Sequence, residues 1–213
     1  MGNHLDQIKE AVIGGKHTDI EDLVKLAIED NINLNDLIND AMIAAMDVVG
    51  MRFAEGEIFV PEMLVSAITM KKGINIIRPF LKEEDTKSKG TIIMCTVKGD
   101  LHDIGKNIVI MMLEGTGFKV IDLGTDINVE DLVLRIEEIR PDILGLSALL
   151  TTTMPEMNKI IETLESRRLR NSVKVMVGGA PVDSSFAEKI GADGYGKDAA
   201  EAVNLARRFV SAR

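Results

Sequence analysis

The stretch Thr91-Ile92-Ile93-Met94-Cys95-Thr96-Val97-Lys98-Gly99-Asp100-Leu101-His102-Asp103-Ile104-Gly105 decides how the second half of this 213-residue chain folds. Its first seven residues form a short, nearly continuous apolar run, the pattern of a strand buried on both faces of a parallel sheet. A polar, glycine-flanked loop follows, and Gly105 opens a helical pattern over about residues 105–114. The same alternation then repeats. Strand-like runs lie at Thr91–Val97, Lys119–Leu123, Ile143–Ser147, Val173–Val177 and, more weakly, near Asp193–Tyr195. Helical patterns fill 105–114, 129–139, 154–167, 183–190 and 198–211. Five such units predict a doubly wound α/β domain over 91–213, a five-stranded parallel sheet in flavodoxin-like order.

Working back from Thr91, the segment Glu83-Glu84-Asp85-Thr86-Lys87-Ser88-Lys89-Gly90 is charged and lacks apolar residues, and it reads as a linker. Residues 1–82 are helical throughout. A weak first helix covers about 4–13. Thr18-Asp19-Ile20-Glu21 has the form of a capping box, and Ile20, Leu23, Val24, Ala27 and Ile28 continue it as one helical face. A third helix carries Ile38, Ala41, Met42, Ala45, Val49 and Phe53 at the same spacing. Pro61 suits the first turn of a fourth, whose stripe is Leu64, Ala67, Ile68, Ile74 and Ile77. The expectation is a four-helix bundle.

Composition narrows the function. A hydrophobic fraction of 46% and a charged fraction of 28% describe a soluble globular chain with a real core. The net charge of −9 and the lack of a basic tract argue against nucleic-acid binding, which needs Lys and Arg to displace counterions. No apolar run approaches the roughly 20 residues of a membrane span, and the N-terminus has no secretory pattern, so a cytoplasmic location is expected. The single cysteine, Cys95, excludes a disulfide framework and a multi-cysteine zinc site, and reads as core. With 12 Met, no Trp and 3% aromatics, the core is aliphatic and methionine-filled. His4 and His17, at helix ends, read as solvated.

In a doubly wound fold, ligands bind beyond the carboxyl ends of the strands, near the point where strand order reverses. Three features fall there. In Gly99-Asp100-Leu101-His102-Asp103-Ile104-Gly105, Asp100 is placed to bond one imidazole nitrogen of His102 and leave the other as a neutral metal ligand or base. Gly105 permits close backbone approach to a bulky ligand. Ser147-Ala148-Leu149-Leu150-Thr151 ends the third strand and brings two hydroxyls, Ser147 and Thr151, toward that loop. Gly178-Gly179-Ala180-Pro181 ends the fourth, where paired glycines clear space for something flat. Taken alone, Ser147 reads equally as a helix cap, and the glycine pair reads as a strand-to-loop turn. Together, the three lie on adjacent strand ends.

At these residues the chain resembles the cobalamin-binding family, whose fingerprint is Asp-x-His-x-x-Gly, then Ser-x-Leu, then Gly-Gly. Here these are Asp100 to Gly105, Ser147 to Leu149, and Gly178-Gly179. The run from Met46 to Glu62 resembles the bundle that caps the cofactor in methionine synthase and in small methanogen and acetogen corrinoid proteins. The likeness spans nearly the whole chain and is strongest to the stand-alone corrinoid proteins of methylamine, methanol and related methyltransferase systems. It implies cobalamin, as methylcobalamin in the loaded state, with His102 as lower axial ligand to cobalt and Asp100 tuning it. It further implies that Gly99, Leu101, Asp103, Ile104 and Gly105 line the cofactor loop. Ser147, Leu149 and Thr151 would contact the nucleotide tail, and Gly178, Gly179 and Ala180 would line its channel. Phe59 and Met63 would cover the methyl-bearing face; the Met residues at helical spacing read mostly as core, with Met46 and Met63 as candidates to touch the corrin or a partner.

The resemblance implies a non-catalytic methyl carrier working with a substrate-specific methyltransferase, a second methyltransferase acting on a thiol or tetrahydrofolate, and a reductive activase. Methylamines, quaternary amines, methanol, methoxylated aromatics and methyl thiols are all compatible donors. A mutase cobalamin subunit shares the fingerprint but works with a catalytic barrel, which the bundle at 1–82 argues against. A cobalamin sensor needs a DNA-binding domain, and no basic recognition helix is present. A flavodoxin or phospho-receiver protein shares only the fold; low aromatic content disfavours a stacked flavin.

Overall fold

The computed structural model describes residues 2–80 and 88–211, so residues 83–87 of the expected linker lie outside the described residues. The chain divides into two compact units, Met1–Ser88 with Gly115–Gly117, and Lys89–Glu114 with Phe118–Arg213.

The first unit is the expected bundle. Its helices are α1 (Gly2–Ile13), α2 (Ile20–Glu29), α3 (Leu34–Asp36), α4 (Ala44–Ala54) and α5 (Val60–Ile77). A π-helical stretch, Leu37–Ile43, joins α3 to α4, so these form one continuous helical run. α1 packs on α2, α4 and α5, and α5 also packs on α2 and α4. Ile8, Val12, Ile20, Val24, Met42, Met46, Val49, Met63 and Met70 are buried. Three expectations change in detail. The capping box at Thr18 does not form: the Lys16 carbonyl accepts from the Asp19 and Ile20 N–H groups, so Thr18 already sits inside a turn. Its hydroxyl donates to Asp19 instead, 2.7 Å away. In the third helical run the wider π turn breaks the 3.6-residue period, and Leu37 is buried while Ile38 is only half-buried. On α5, Ile68 is exposed, whereas Ser66 and Thr69 are buried. Their hydroxyls donate to the carbonyls of Ile13 (3.2 Å) and Val65 (2.7 Å), so small polar residues fill the interior without an unmet donor. Pro61 does lie in the first turn of α5, where the Glu62 carboxylate also accepts from the Phe59 N–H, 2.7 Å away.

The second unit is a five-stranded, wholly parallel sheet in the order β2-β1-β3-β4-β5. Its strands are β1 (Thr91–Thr96), β2 (Lys119–Asp122), β3 (Ile143–Ser147), β4 (Lys174–Gly178) and β5 (Gly194–Gly196). Its helices are α6 (Ile104–Gly115), α7 (Val129–Ile139), α8 (Met154–Ser166), α9 (Ser184–Lys189) and α10 (Ala199–Ser211). One side of the sheet, with Ile93, Cys95, Leu144, Leu146, Val175 and Val177, packs on Leu132, Val133 and Ile136 of α7 and Met157, Ile160 and Leu164 of α8. The order reverses between β1 and β3, so the loops leaving these two strands face each other beyond the sheet. Register aligns Thr96 with Ser147, Ser147 with Gly178, and Gly178 with Gly196. No described helix is long and apolar enough to cross a membrane.

Candidate functional site

The loop after β1 turns at once. Gly99 takes a left-handed φ of 81°, and the Asp100 N–H donates to the Val97 carbonyl at 3.2 Å. This turn drives the Asp100 side chain inward, where it is fully buried. A carboxylate so placed needs donors on both oxygens, and it has them. Oδ1 accepts from the His102 N–H at 3.0 Å and lies 2.7 Å from His102 Nδ1. Oδ2 accepts from the Leu149 N–H (2.7 Å), the Leu150 N–H (3.3 Å) and the Thr153 hydroxyl (2.9 Å). One side chain thus ties the β1 loop to the β3 loop across the point of reversal. Burial pushes the Asp100 carboxyl up, but the N–H groups of Leu149 and His102, the His102 ring and the Thr153 hydroxyl outweigh it and hold it well below the usual carboxylate range.

An anion at this distance assigns the proton of the neutral imidazole to Nδ1, leaving the Nε2 lone pair as the outward group. The His102 side chain is 52% exposed, and among the described residues Nε2 has no hydrogen-bond partner. The same two loops carry Leu101, Ile104, Leu149 and Leu150, all large, apolar and exposed. A Cβ built on Gly105 would meet nothing within 4 Å, so the start of α6 is open. Among the described residues no group of three His, Cys, Asp or Glu side chains gathers to hold a metal ion. A single imidazole nitrogen set among apolar side chains therefore fits a metal that arrives already chelated in a macrocycle, and does not fit a bare ion.

The remaining expected residues fall as follows. Ser147 ends β3 half-buried, and it caps no helix, since α8 begins at Met154. Thr151 is exposed. The hydroxyl that reaches Asp100 belongs to Thr153, which the sequence did not single out among three consecutive threonines. Thr96 was also missed; its hydroxyl donates to the His102 carbonyl at 2.9 Å and closes the loop from the strand side. Asp103 is exposed and its carboxylate accepts from the Asn107 amide at 3.1 Å. Gly178 and Gly179 have a reason within the chain itself. A Cβ on Gly178 would lie 2.9 Å from the Gly196 carbonyl oxygen, and one on Gly179, at φ 124°, would lie 1.9 Å from that of Ala148. Ala180 follows them, exposed. Phe59 and Met63 belong to the helical unit, where Phe59 is exposed and Met63 buried. Burial pushes the Cys95 thiol up to about 12, so it is a neutral core group.

Comparison with known proteins agrees with this chemistry. A family model described as a B12 binding domain matches residues 90–204, and a second of the same description matches residues 4–78. A corrinoid protein of Desulfitobacterium hafniense is 42% identical over 209 residues, 97% of each chain. The trimethylamine corrinoid protein of Methanosarcina barkeri is 42% identical over 197 residues, 92% of this chain and 91% of that one. Among solved structures, a chain of the methanol:cobalamin methyltransferase complex of Methanosarcina barkeri superposes with a TM-score of 0.88 at 32% identity, covering 99% of this chain and 81% of that one.

Proposed function

The chain belongs to the B12-binding corrinoid proteins, and from that premise we propose that it is a methyl carrier in a corrinoid-dependent methyltransferase system. The observation that carries this reading is the His102 Nδ1 to Asp100 Oδ1 contact of 2.7 Å with Nε2 left unpartnered and exposed. When bound, the corrinoid supplies a cobalt centre able to accept a methyl group from one protein and release it to a nucleophile on another. His102 Nε2 is the atom that would hold this cobalt. Asp100 would keep the proton on Nδ1 and fix the ring orientation, leaving the Nε2 lone pair for the metal. Because Thr153 and two backbone N–H groups hold the far oxygen of Asp100, the carboxylate cannot turn without breaking several bonds at once, and the ring keeps a fixed acceptor for Nδ1. The exposed Leu101, Ile104, Leu149 and Leu150 offer apolar contact and exclude water. Ser147 and Thr151 are assigned to polar contact with the nucleotide tail, and Gly178, Gly179 and Ala180 to its path.

The partners that follow are a substrate-specific methyltransferase that loads the carrier, a second methyltransferase that unloads it to a thiol or tetrahydrofolate, and a reductive activase. In this reading its role is that of a carrier subunit. The test is methyl traffic. Protein reconstituted with carbon-14 methylcobalamin is expected to retain it stoichiometrically and to pass the label to a thiol only when a thiol-directed corrinoid methyltransferase is added. Tight retention with no transfer to thiol or tetrahydrofolate enzymes would instead indicate a sensor.

A further inference from the structure

The Asp100 carboxylate is anchored by the β3 loop, but its backbone needs an anchor too if Nδ1 is to stay within bonding distance. That anchor comes from the segment between β2 and α7. Asp126 donates its N–H to the Asp100 carbonyl at 3.0 Å, and its Oδ1 accepts from the Gly99 N–H at 2.8 Å. One residue therefore grips the peptides on both sides of the turn that aims Asp100 inward. Asp126 does this at a φ of 56°, in the left-handed region where glycine is free of strain and most side chains are not. Aspartate takes this conformation more readily than most side chains, and its short carboxylate reaches the Gly99 N–H. Lys98 Nζ, 3.3 Å away, adds a cation to the same oxygen. The Gly99 N–H and then Lys98 hold the Asp126 carboxyl below its ordinary value, which keeps it an anion.

The same segment grips the other flank of the loop. Asp122, at the end of β2, accepts from the buried Lys106 ammonium in the first turn of α6 at 2.5 Å, and from the Gly124 N–H at 2.9 Å. The Gly124 carbonyl accepts from the Thr96 N–H at 3.0 Å. Gly99 and Lys106, which precede and follow His102 in sequence, are thus each bonded to a carboxylate of one neighbouring segment.

We propose that the β2–α7 segment is a clamp on the His102 loop and that Asp126 is a positioning residue for the Asp100–His102 pair, acting through the backbone of Gly99 and Asp100. This rests on the reading of His102 as the cobalt ligand. The test uses the full chain loaded with cobalamin in the cobalt(II) state, with the ratio of histidine-bound to histidine-free cobalt read by electron paramagnetic resonance. Asp126→Gly keeps the backbone conformation and removes the carboxylate; its ratio is expected to fall about tenfold. Asp126→Asn keeps an acceptor for the Gly99 N–H and is expected to recover to within about threefold of wild type. In the cofactor-free protein the Gly99 amide should exchange faster in Asp126→Gly than in Asp126→Asn.

An unchanged ratio in Asp126→Gly overturns the proposal, as does a loss that Asp126→Asn fails to recover. Should the glycine variant not fold, Asp126→Ala, which also removes the acceptor for the Gly99 N–H, takes its place, and an unchanged ratio there contradicts the clamp. If wild type itself shows no protein nitrogen on cobalt, the reading of His102 fails and this inference falls with it. If wild type shows that nitrogen and the variants match it, the inference alone fails.

Discussion

Two aspartates stand at opposite ends of the same sheet and do nearly the same thing with different consequences. Asp193, ahead of β5, accepts from Arg170 (2.7 Å) and the Val175 N–H (2.8 Å) on one oxygen and from Lys174 (2.8 Å) on the other. Arg170 in turn donates to the carbonyls of Gly191 and Val173. Burial raises the Asp193 carboxyl, and the bonds from Lys174, the Val175 N–H and Arg170 more than reverse it. Asp100, at the carboxyl end, gathers five donors against three and is likewise held low. The difference lies in what each leaves over. Around Asp193 the basic partners are an ammonium and a guanidinium, which carry donors and no lone pair. Around Asp100 one partner is an imidazole with a second nitrogen, unpartnered and exposed. A carboxylate knot becomes a site when it orients an atom whose bonding capacity it does not use.

Substitutions can break or sharpen this comparison. Asp100→Asn places an amide N–H₂ group among five donors, and is expected to cost about 3 kcal/mol by urea denaturation and to disrupt cobalt ligation as well. Asp193→Ala is expected to cost about 2 kcal/mol by the same measurement while leaving cobalt ligation at the wild-type value. If ligation falls with Asp193→Ala, the two knots are not independent. Acid sharpens the contrast further. The folded carboxyl of Asp193 titrates below the unfolded value of about 3.9, so the unfolded chain binds the extra proton between the two. Its stabilisation is complete above the unfolded value and is lost as pH falls through the folded one. Urea midpoints from about pH 6 down to about pH 2.5 should therefore fall less steeply for Asp193→Asn than for wild type, and parallel curves would deny the linkage. Thr153→Val removes one donor from Asp100 and should cost about 1 kcal/mol. Thr151→Val, two residues away and exposed, should stay within about 0.5 kcal/mol in the cofactor-free protein.

The alternation of apolar strands and amphipathic helices made the sheet legible from Thr91 onward, because a parallel strand buried on both faces leaves a run that few other structures need. The Asp100–His102 pair was legible for a related reason: two residues apart on a short loop, their side chains have little freedom to miss each other. Thr153 was not, since three consecutive threonines carry no mark of which one turns inward until α8 fixes the phase. Asp126 and Thr96 act through backbone groups, which leave no residue-type signal. In the helices, the capping pattern at Thr18 was defeated by the turn before it, and the π-helical stretch shifted a periodicity that assumes 3.6 residues per turn.

The account stands on a protein nitrogen bound to cobalt, and one spectrum tests that directly. Cobalamin-reconstituted protein is reduced to cobalt(II), and its electron paramagnetic resonance spectrum is compared before and after nitrogen-15 labelling of the protein alone. The account predicts that labelling changes the axial-nitrogen splitting and that His102→Ala abolishes the change. A splitting indifferent to the label would mean that the cofactor keeps its own base, and would contradict the role assigned to His102.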